Sequence, residues 1–263
     1  MSIIKQHIQK INEQNRKALS VFLTAGFPIK NNFADLAVKI LNSGADMLEI
    51  GIPFSDPIAD GPVIQYSSQA ALENGVRLKD VFNYTEKIKA KTGKPVILMG
   101  YANPIIKYGI KKFVKQAAAS GADGLIVPDI PIEENADFWQ DSLKDIDNIL
   151  LTTPVSPAER IKQIDSKSSG FVYCVSVTGT TGSNLQFSKD MIQNLKRTYD
   201  LVEQNKMLIG FGISSAEAIH SLQNYCDGFI VGSAVIKTLM NKSNNGFKQA
   251  VSLVQNLAEA AKL

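Results

Sequence analysis

The sequence predicts an α/β fold, a (β/α)8 TIM barrel, because short apolar segments alternate regularly with helix-periodic segments. Eight apolar segments recur along the chain. Each is too short for a helix and several are rich in β-branched residues, which is typical of strands buried on both faces. They cover residues 19–23, 47–50, 96–99, 124–127, 149–151, 171–175, 207–209 and 228–231. Eight such strands alternating with helices pair in parallel and close into a barrel. A doubly wound open sheet is the alternative, but it usually has fewer repeats and a glycine-rich turn after its first strand, which residues 24–28 do not form.

Length and composition fit one globular unit. The chain has 263 residues, close to the ~250 of a typical barrel. No linker or low-complexity tract interrupts it, so we expect a single domain over residues 1–263. The 28 basic and 25 acidic residues give a net charge of +3 and are scattered. No nucleic-acid-binding arm is therefore predicted.

Helix-periodic segments separate the predicted strands, among them residues 33–41, 81–90, 111–119 and 216–222. An extra N-terminal helix places Ile4, Ile8 and Ile11 on one face, and we expect it to cover the floor of the barrel. A similar apolar stripe near the C-terminus should pack on the outside of the barrel and comprises Phe247, Val251, Val254 and Leu257.

Two connections are unusually long, those after the second and the sixth predicted strands. Both leave the C-terminal ends of their strands, which is the catalytic face of a barrel. We therefore expect catalytic residues on these two elongated loops or beside them.

The cysteines and the N-terminal residues predict a protein of a reducing cellular compartment. Cys174 and Cys226 are the only cysteines, and both lie in apolar segments, so buried thiols in a reducing compartment are predicted. The first residues lack the apolar stretch of a signal peptide, and no segment approaches the ~20 apolar residues of a membrane span. We expect a cytoplasmic protein, or one of the plastid stroma if it is organelle-encoded.

Glycine turns follow the seventh and eighth predicted strands, at residues 210–214 and 232–234. In barrels, backbone N–H groups of these two loops commonly bind a phosphate. The alternative is that Gly212 and Gly232 only make tight turns, and that Ser214 and Glu217 form a helix-capping box. Because both turns follow the pair of strands that barrels use for phosphate, the sequence favours a phosphorylated substrate.

Glu49 is a carboxylate within the second predicted strand. Strand alternation turns Met47 and Glu49 toward the barrel axis, with Glu49 at the upper end. Apolar surroundings should raise its pKa above the usual value of about 4.3, which suits proton transfer near neutral pH. A structural ion pair is the alternative, but the eight apolar segments contain no lysine or arginine.

Asp60 lies near the end of the elongated second loop, residues 51–62, which contains three prolines. It precedes a helix predicted from residue 63 to about residue 74. The carboxylate could return over the barrel mouth, or it could cap the N-terminus of that helix. The spacing alone leaves both interpretations open.

Missing residue types narrow the chemistry further. His7 and His220 are the only histidines, and both lie in predicted helices away from the catalytic face, so no histidine base and no metal site is predicted. No lysine stands at the upper end of a strand, which disfavours a Schiff-base aldolase. If a carbon–carbon bond is cleaved, the substrate must supply its own electron sink.

Residues 49–62, EIGIPFSDPIADGP, closely resemble the signature of the tryptophan synthase alpha subunit family. The resemblance continues in order along essentially the whole chain, through residues 22–28, 99–104, 127–131, 175–182 and 210–214. It implies a lyase of tryptophan biosynthesis that performs the retro-aldol cleavage of indole-3-glycerol phosphate to indole and glyceraldehyde 3-phosphate.

The resemblance also implies roles for single residues. Glu49 corresponds to the general acid–base that shuttles a proton between indole C3 and the glycerol hydroxyl, and Asp60 to the carboxylate that accepts the indole N–H. The implied substrate-binding residues are Phe22, Met99 and Phe211 at the indole, Tyr173 at the glycerol carbons, and Gly182, Gly212, Gly232 and Ser233 at the phosphate, with Tyr101 as a further substrate-binding residue. Thr181 would form a hydrogen bond with Asp60 when a lid of residues 178–188 closes.

A partner follows from the same resemblance. The family pairs with a pyridoxal-phosphate-dependent beta subunit, implying an α2β2 heterotetramer with no cofactor in this chain. We expect Pro53 and Asp56 at that interface, with Phe54 exposed beside them, although Phe54 could instead pack inward. A stand-alone lyase and a non-catalytic activator subunit are the alternative functions, and an indole-release assay with and without a beta subunit separates them.

Overall fold

The computed structural model describes residues 2–175, 187–210, 212–241 and 246–263. The strands in these ranges are β1 Ala18–Thr24, β2 Met47–Gly51, β3 Val96–Met99, β4 Gly124–Ile126, β5 Asp147–Asn148, β6 Leu150–Thr152, β7 Phe171–Val175, β8 Lys206–Gly210 and β9 Gly228–Val231. The α-helices are α1 Ile3–Asn12, α2 Phe33–Asn42, α3 Pro62–Glu73, α4 Leu78–Thr92, α5 Ala102–Tyr108, α6 Ile110–Ala119, α7 Asn135–Trp139, α8 Ala158–Lys167, α9 Lys189–Leu201, α10 Ala216–Leu222, α11 Ser233–Leu239 and α12 Gly246–Ala260. Short 3-10 turns span Lys30–Asn32 and Gln223–Tyr225.

All strand pairs are parallel, in the order β5-β4-β3-β2-β1-β9-β8-β7-β6. The two ends of this order, β5 and β6, are consecutive in the chain and flank Ile149. The sheet is therefore a nearly closed barrel, and the predicted fold class is confirmed.

Two of the three residues of the fifth predicted strand, 149–151, lie in β6, and only the inclusion of Ile149 is wrong. The fifth strand of the barrel is divided at Ile149, because β5 hydrogen-bonds to β4 on one side and β6 hydrogen-bonds to β7 on the other.

The N-terminal helix closes the bottom of the barrel. Ile4, Ile8 and Ile11 on α1 are buried in one apolar cluster with inward-facing strand residues such as Met47 and Phe171. The predicted floor helix is confirmed. The interior is thus a packed core, and only the opposite, C-terminal end of the strands is available for a site.

The outer helices match the predicted segments closely, as α2, α4, α6 and α10 show. In the C-terminal stripe, Val254 and Leu257 are buried on α12, whereas Phe247 and Val251 are half-buried. This helix packs against α2, α10 and α11. No helix within the described ranges is long and apolar enough to cross a membrane.

Asp46 ties β1 to β2 at their lower ends. Its carboxylate accepts the backbone N–H of Leu19 at 2.9 Å and forms an ion pair with Arg16 at 2.8 Å. Asp46 N also donates to Leu19 O at 2.8 Å. These contacts hold the register of the two strands that carry the central side chains of the candidate site.

The elongated loop after β2 runs from Ile52 to the start of α3. The connection after β7 contains residues 176–186, which lie outside the described residues, so the predicted lid is for the most part not described.

Candidate active site

Glu49 lies in the middle of β2 and is fully buried. Its Oε1 accepts the hydroxyl hydrogen of Ser20 at 2.8 Å, and its Oε2 has no hydrogen-bond partner in the described structure. Burial raises the pKa of Glu49 to about 8, although the hydrogen bond from Ser20 lowers it in part. No lysine or arginine among the described residues forms an ion pair with Glu49. The carboxyl group therefore keeps its proton at neutral pH.

Asp60 stands at the end of the second loop and is hydrogen-bonded to the side chain of Tyr101. The Tyr101 hydroxyl also accepts the backbone N–H of Ala59 at 3.2 Å. Burial raises the pKa of Asp60 to about 6, although the Tyr101 hydrogen bond lowers it. Asp60 does not cap α3, because the N-cap of that helix is Gly61, which has no side-chain cap. Asp60 instead lines the pocket at the mouth of the barrel.

A pocket opens at the C-terminal end of β1, β2 and β3. Glu49 lies two residues before Gly51 on the same face of β2, so its carboxyl sits just beneath the pocket. A Cβ at Gly51 would lie 2.7 Å from Phe22 Cε2, so the glycine leaves space for the Phe22 ring. The residues that line the pocket are Phe22, Thr24, Gly51, Ile52, Asp60, Ile64, Ser68, Met99, Gly100 and Tyr101.

Tyr173 faces the same interior from β7 and is buried. Burial raises its pKa well above the usual value, and the negative charges of Glu49 and Asp60 raise it further. The phenol therefore stays protonated. A Cβ at Gly210 on the neighbouring β8 would collide with the Tyr173 hydroxyl, so glycine there makes room for it.

Phe54 anchors the second loop and is half-buried against the ring of Tyr101. Its ring centroid lies 5.4 Å from that of Tyr101, and its backbone N–H donates to Ser68 Oγ at 2.8 Å. The expectation of an exposed Phe54 is wrong, because the Tyr101 ring offers it an apolar surface. Pro53 is half-buried and Asp56 is exposed. The strongly exposed apolar residue of this loop is Ile58, at 81%.

The two glycine turns lie at the same end of the barrel, since β8 and β9 are paired. Gly212 adopts a left-handed φ of 77°, and Gly232 precedes Ser233, the first residue of α11. The prediction that Ser214 and Glu217 form a capping box is wrong, because the N-cap lies one residue later than predicted. Because α10 begins at Ala216, its N-cap is Ser215, whose hydroxyl accepts from Ala218 N at 3.4 Å.

Three of the predicted site residues, Thr181, Gly182 and Phe211, lie outside the described residues. The structure brings Glu49, Asp60, Phe22, Met99, Tyr101 and Tyr173 together at the mouth of the barrel or directly below it.

Ser20 and Ser68 also contact residues of the site, and neither was predicted from the sequence. Ser20 lies two positions before Phe22, hence on the same strand face, which was an available signal. Ser68 gave no such signal, because its contact with Phe54 depends on how the second loop folds.

Known proteins resemble this chain along its full length. A family model described as tryptophan synthase alpha chain matches residues 8–262. The alpha chain of Flavobacterium psychrophilum is 40% identical over 246 residues, which cover 93% of this chain and 97% of that protein. The alpha chain of Thermoanaerobacter sp. strain X514 is 41% identical over 262 residues, which cover 98% and 99%.

Solved structures agree with these relatives. A ligand-free mutant form of tryptophan synthase from M. tuberculosis superposes with a TM-score of 0.89 at 31% identity, covering 100% of both chains. The alpha chain from Legionella pneumophila subsp. pneumophila superposes with a TM-score of 0.87 at 31% identity, covering 99% of this chain and 97% of that one.

Proposed function

The chain belongs to the tryptophan synthase alpha chain family, and from that premise we propose which of its residues cleave indole-3-glycerol phosphate to indole and glyceraldehyde 3-phosphate. Glu49 is the general acid–base, and Asp60 stabilises positive charge on the indole. The observation that carries this assignment is a pair of carboxyl groups at one barrel mouth whose pKa values burial raises to about 8 and about 6. At neutral pH one is therefore an acid and the other a carboxylate, which is how enzymes divide two roles between two carboxyl groups.

Glu49 begins the reaction as a neutral acid. Its proton passes to C3 of the indole ring, which makes an indoleninium cation. The Glu49 carboxylate then takes the proton of the hydroxyl group on the adjacent side-chain carbon, and that oxygen forms the aldehyde C=O. The bond between this carbon and indole C3 breaks, and its electron pair restores the aromatic indole. Glu49 ends protonated, ready for another turnover.

Asp60 is ionised above a pH of about 6. Its carboxylate accepts a hydrogen bond from the indole N–H, where positive charge develops after C3 is protonated. A fixed carboxylate in a partly buried site stabilises that charge more in the transition state than in the ground state.

Pocket residues divide between the two ends of the substrate. Phe22 and Met99, which line the pocket, pack against the indole ring together with Phe211, and Tyr101 lines the same pocket as a further substrate-binding residue. The protonated Tyr173 lies beside the glycerol carbons. The phosphate binds backbone N–H groups at Gly182, Gly212, Gly232 and Ser233. Thr181 forms a hydrogen bond with Asp60 when the lid of residues 178–188 is closed.

A beta subunit is the expected partner, in an α2β2 assembly where pyridoxal phosphate belongs to the beta chain alone. This chain's reaction uses only side chains and the substrate's own indole as electron sink. Pro53 and Asp56 form part of the docking surface, and Ile58, exposed at 81%, extends it. We place this protein, as one domain over residues 1–263, in the cytoplasm, which two free buried cysteines suit.

The direct test is indole release from indole-3-glycerol phosphate, with and without a beta subunit. Glu49→Gln should lower turnover by at least the ~10²–10⁴-fold typical of general acid–base catalysis, while a non-reactive substrate analogue still binds. Near-normal release by this variant would remove Glu49 from the mechanism. Fast turnover by the isolated parent would favour a stand-alone lyase, and no turnover in either condition would favour a non-catalytic subunit.

A further inference from the structure

Ser20 holds Glu49 from the floor side of the barrel. β1 and β2 pair in parallel with Phe22 opposite Glu49 and Ser20 opposite Met47. Ser20 Oγ donates to Glu49 Oε1 at 2.8 Å, and both residues are 0% exposed. Within the described ranges, the Glu49 carboxyl group is thus hydrogen-bonded at Oε1 only, and the donor, Ser20, lies farther from the pocket than Glu49 does.

The other oxygen of Glu49 has no such partner. Oε2 is buried and is not hydrogen-bonded to any described residue. Buried polar atoms are nearly always paired, and an exception calls for an explanation such as a catalytic role. Because Oε1 already accepts the Ser20 hydrogen, the proton of the neutral acid belongs on Oε2.

Other groups near Glu49 do not replace this donor. Among the described residues, Tyr173 from β7 and Asp60 from the second loop are the titratable side chains at this end of the barrel, and neither is hydrogen-bonded to Glu49. The flanking strands β1 and β3 carry no titratable residue.

We infer that Ser20 is a positioning residue whose hydroxyl anchors Oε1 of Glu49, so that Oε2 is the oxygen that exchanges the proton with the substrate. This inference rests on the proposed role of Glu49. Two consequences separate it from a purely structural role. Loss of the hydroxyl removes a donor to the carboxylate, so the pKa of Glu49 rises further. It also frees the carboxyl to rotate, which lowers the rate of the chemical step.

Substrate affinity should depend little on Ser20, because this residue is not among those that line the pocket. The effect of its substitution should therefore fall on kcat and leave KM almost unchanged.

The test uses Ser20→Ala together with the isosteric pair Ser20→Thr and Ser20→Val, each assayed with a saturating beta subunit. Thr and Val add the same volume to a closed site, and only Thr keeps the hydroxyl. We expect Ala and Val to lower kcat about tenfold near pH 7 with KM within about twofold. Thr should retain most of the parental kcat.

A second measurement needs no turnover. Titration of the Glu49 carboxyl carbon by ¹³C NMR, assigned with Glu49→Gln, should give a pKa about one unit higher in the Ala and Val variants. The Thr variant should titrate like the parent.

Two results would overturn the inference: a Val variant that matches Thr in both kcat and carboxyl pKa, or an Ala variant that matches the parent in both. These differ from failure of the proposed function, which would appear as a Glu49→Gln variant with near-normal turnover, whatever the Ser20 variants do.

Discussion

Asp60 and Tyr101 are hydrogen-bonded through their side chains, and this contact joins the loop after β2 to the residues that follow β3. Tyr101 is 4% exposed, and its hydroxyl also accepts the Ala59 N–H at 3.2 Å. Burial and the charge of Asp60 raise the pKa of Tyr101, so the tyrosine remains a donor. The contact limits how far burial raises the pKa of Asp60 and holds its carboxylate at the edge of the pocket.

Replacing Tyr101 with Phe should shift the acidic limb of the pH–rate profile to higher pH, because Asp60 loses the hydrogen bond that favours its charged form. Turnover should fall most near pH 6 and least near pH 8. Met99→Leu is the control, since it alters the same pocket but keeps the Tyr101–Asp60 hydrogen bond, and its acidic limb should stay in place. An unmoved limb in Tyr101→Phe would show that the contact does not tune Asp60.

The parental enzyme should have a bell-shaped pH dependence of kcat/KM. Asp60 must be ionised, so activity should rise as the pH passes about 6, and Glu49 must be protonated, so activity should fall as the pH passes about 8. Steady-state rates in overlapping buffers measure both limbs. Asp60→Asn should lose the acidic limb together with much of the rate. A profile that is flat from pH 5 to 9 would contradict both assignments.

Glu49 should make the fold less stable as pH rises. Its folded pKa of about 8 lies above the ordinary value of 4.5, so between these values the native state binds more protons than the unfolded state. The free energy of unfolding then falls with pH, by about 1.4 kcal/mol per unit at most. Glu49→Gln cannot ionise, so its stability relative to the parent should increase from pH 5 to 8.

Urea unfolding at several pH values measures this trend. Glu86→Gln, the same substitution at an exposed position on α4, is the control for loss of a carboxylate outside the barrel interior. A constant stability difference between Glu49→Gln and the parent across this range would mean that Glu49 titrates normally.

Gly232→Asp should abolish binding of a phosphorylated substrate analogue while the barrel stays folded, because it puts a negative charge where the phosphate is proposed to bind. Gly232→Asn is the matched control for size, since a Cβ here would lie 3.2 Å from Phe22 Cβ. Isothermal titration calorimetry should show a much larger loss for Asp than for Asn. Equal affinities in Asp and parent would place the phosphate elsewhere.

Asp56→Ala should blunt the acceleration of indole release by a beta subunit and leave the isolated chain almost unaffected. Asp56 is exposed on the second loop, and its contact in the described structure is with Ser55 Oγ at 2.5 Å. Glu86→Ala, remote on an outer helix, should keep full acceleration. Rates titrated with beta subunit measure the difference, and equal responses of the two variants would remove Asp56 from the interface.

The local sequence pattern was enough to predict much of the fold of this protein. The alternation of apolar and helix-periodic segments predicted the barrel, and strand periodicity predicted that Glu49 points inward, because both depend on residues close together in the chain. The local sequence did not decide whether Asp60 caps a helix, since an aspartate just before a helix is compatible both with capping that helix and with facing the pocket. Phe54 was misplaced for a similar reason: a loop sequence does not say which ring it will meet.

What the sequence by itself determined, then, is the order of strands and helices, the inward face of the second strand, and the family signature that marks residues 49–62. The tertiary structure decided which side chains from different strands meet: Ser20 with Glu49 across β1 and β2, and Tyr101 with Asp60 across two loops. The same closure divided the fifth strand at Ile149. The physical reason is that periodicity fixes direction along one strand, whereas contacts between strands depend on their register and on the closing of the barrel.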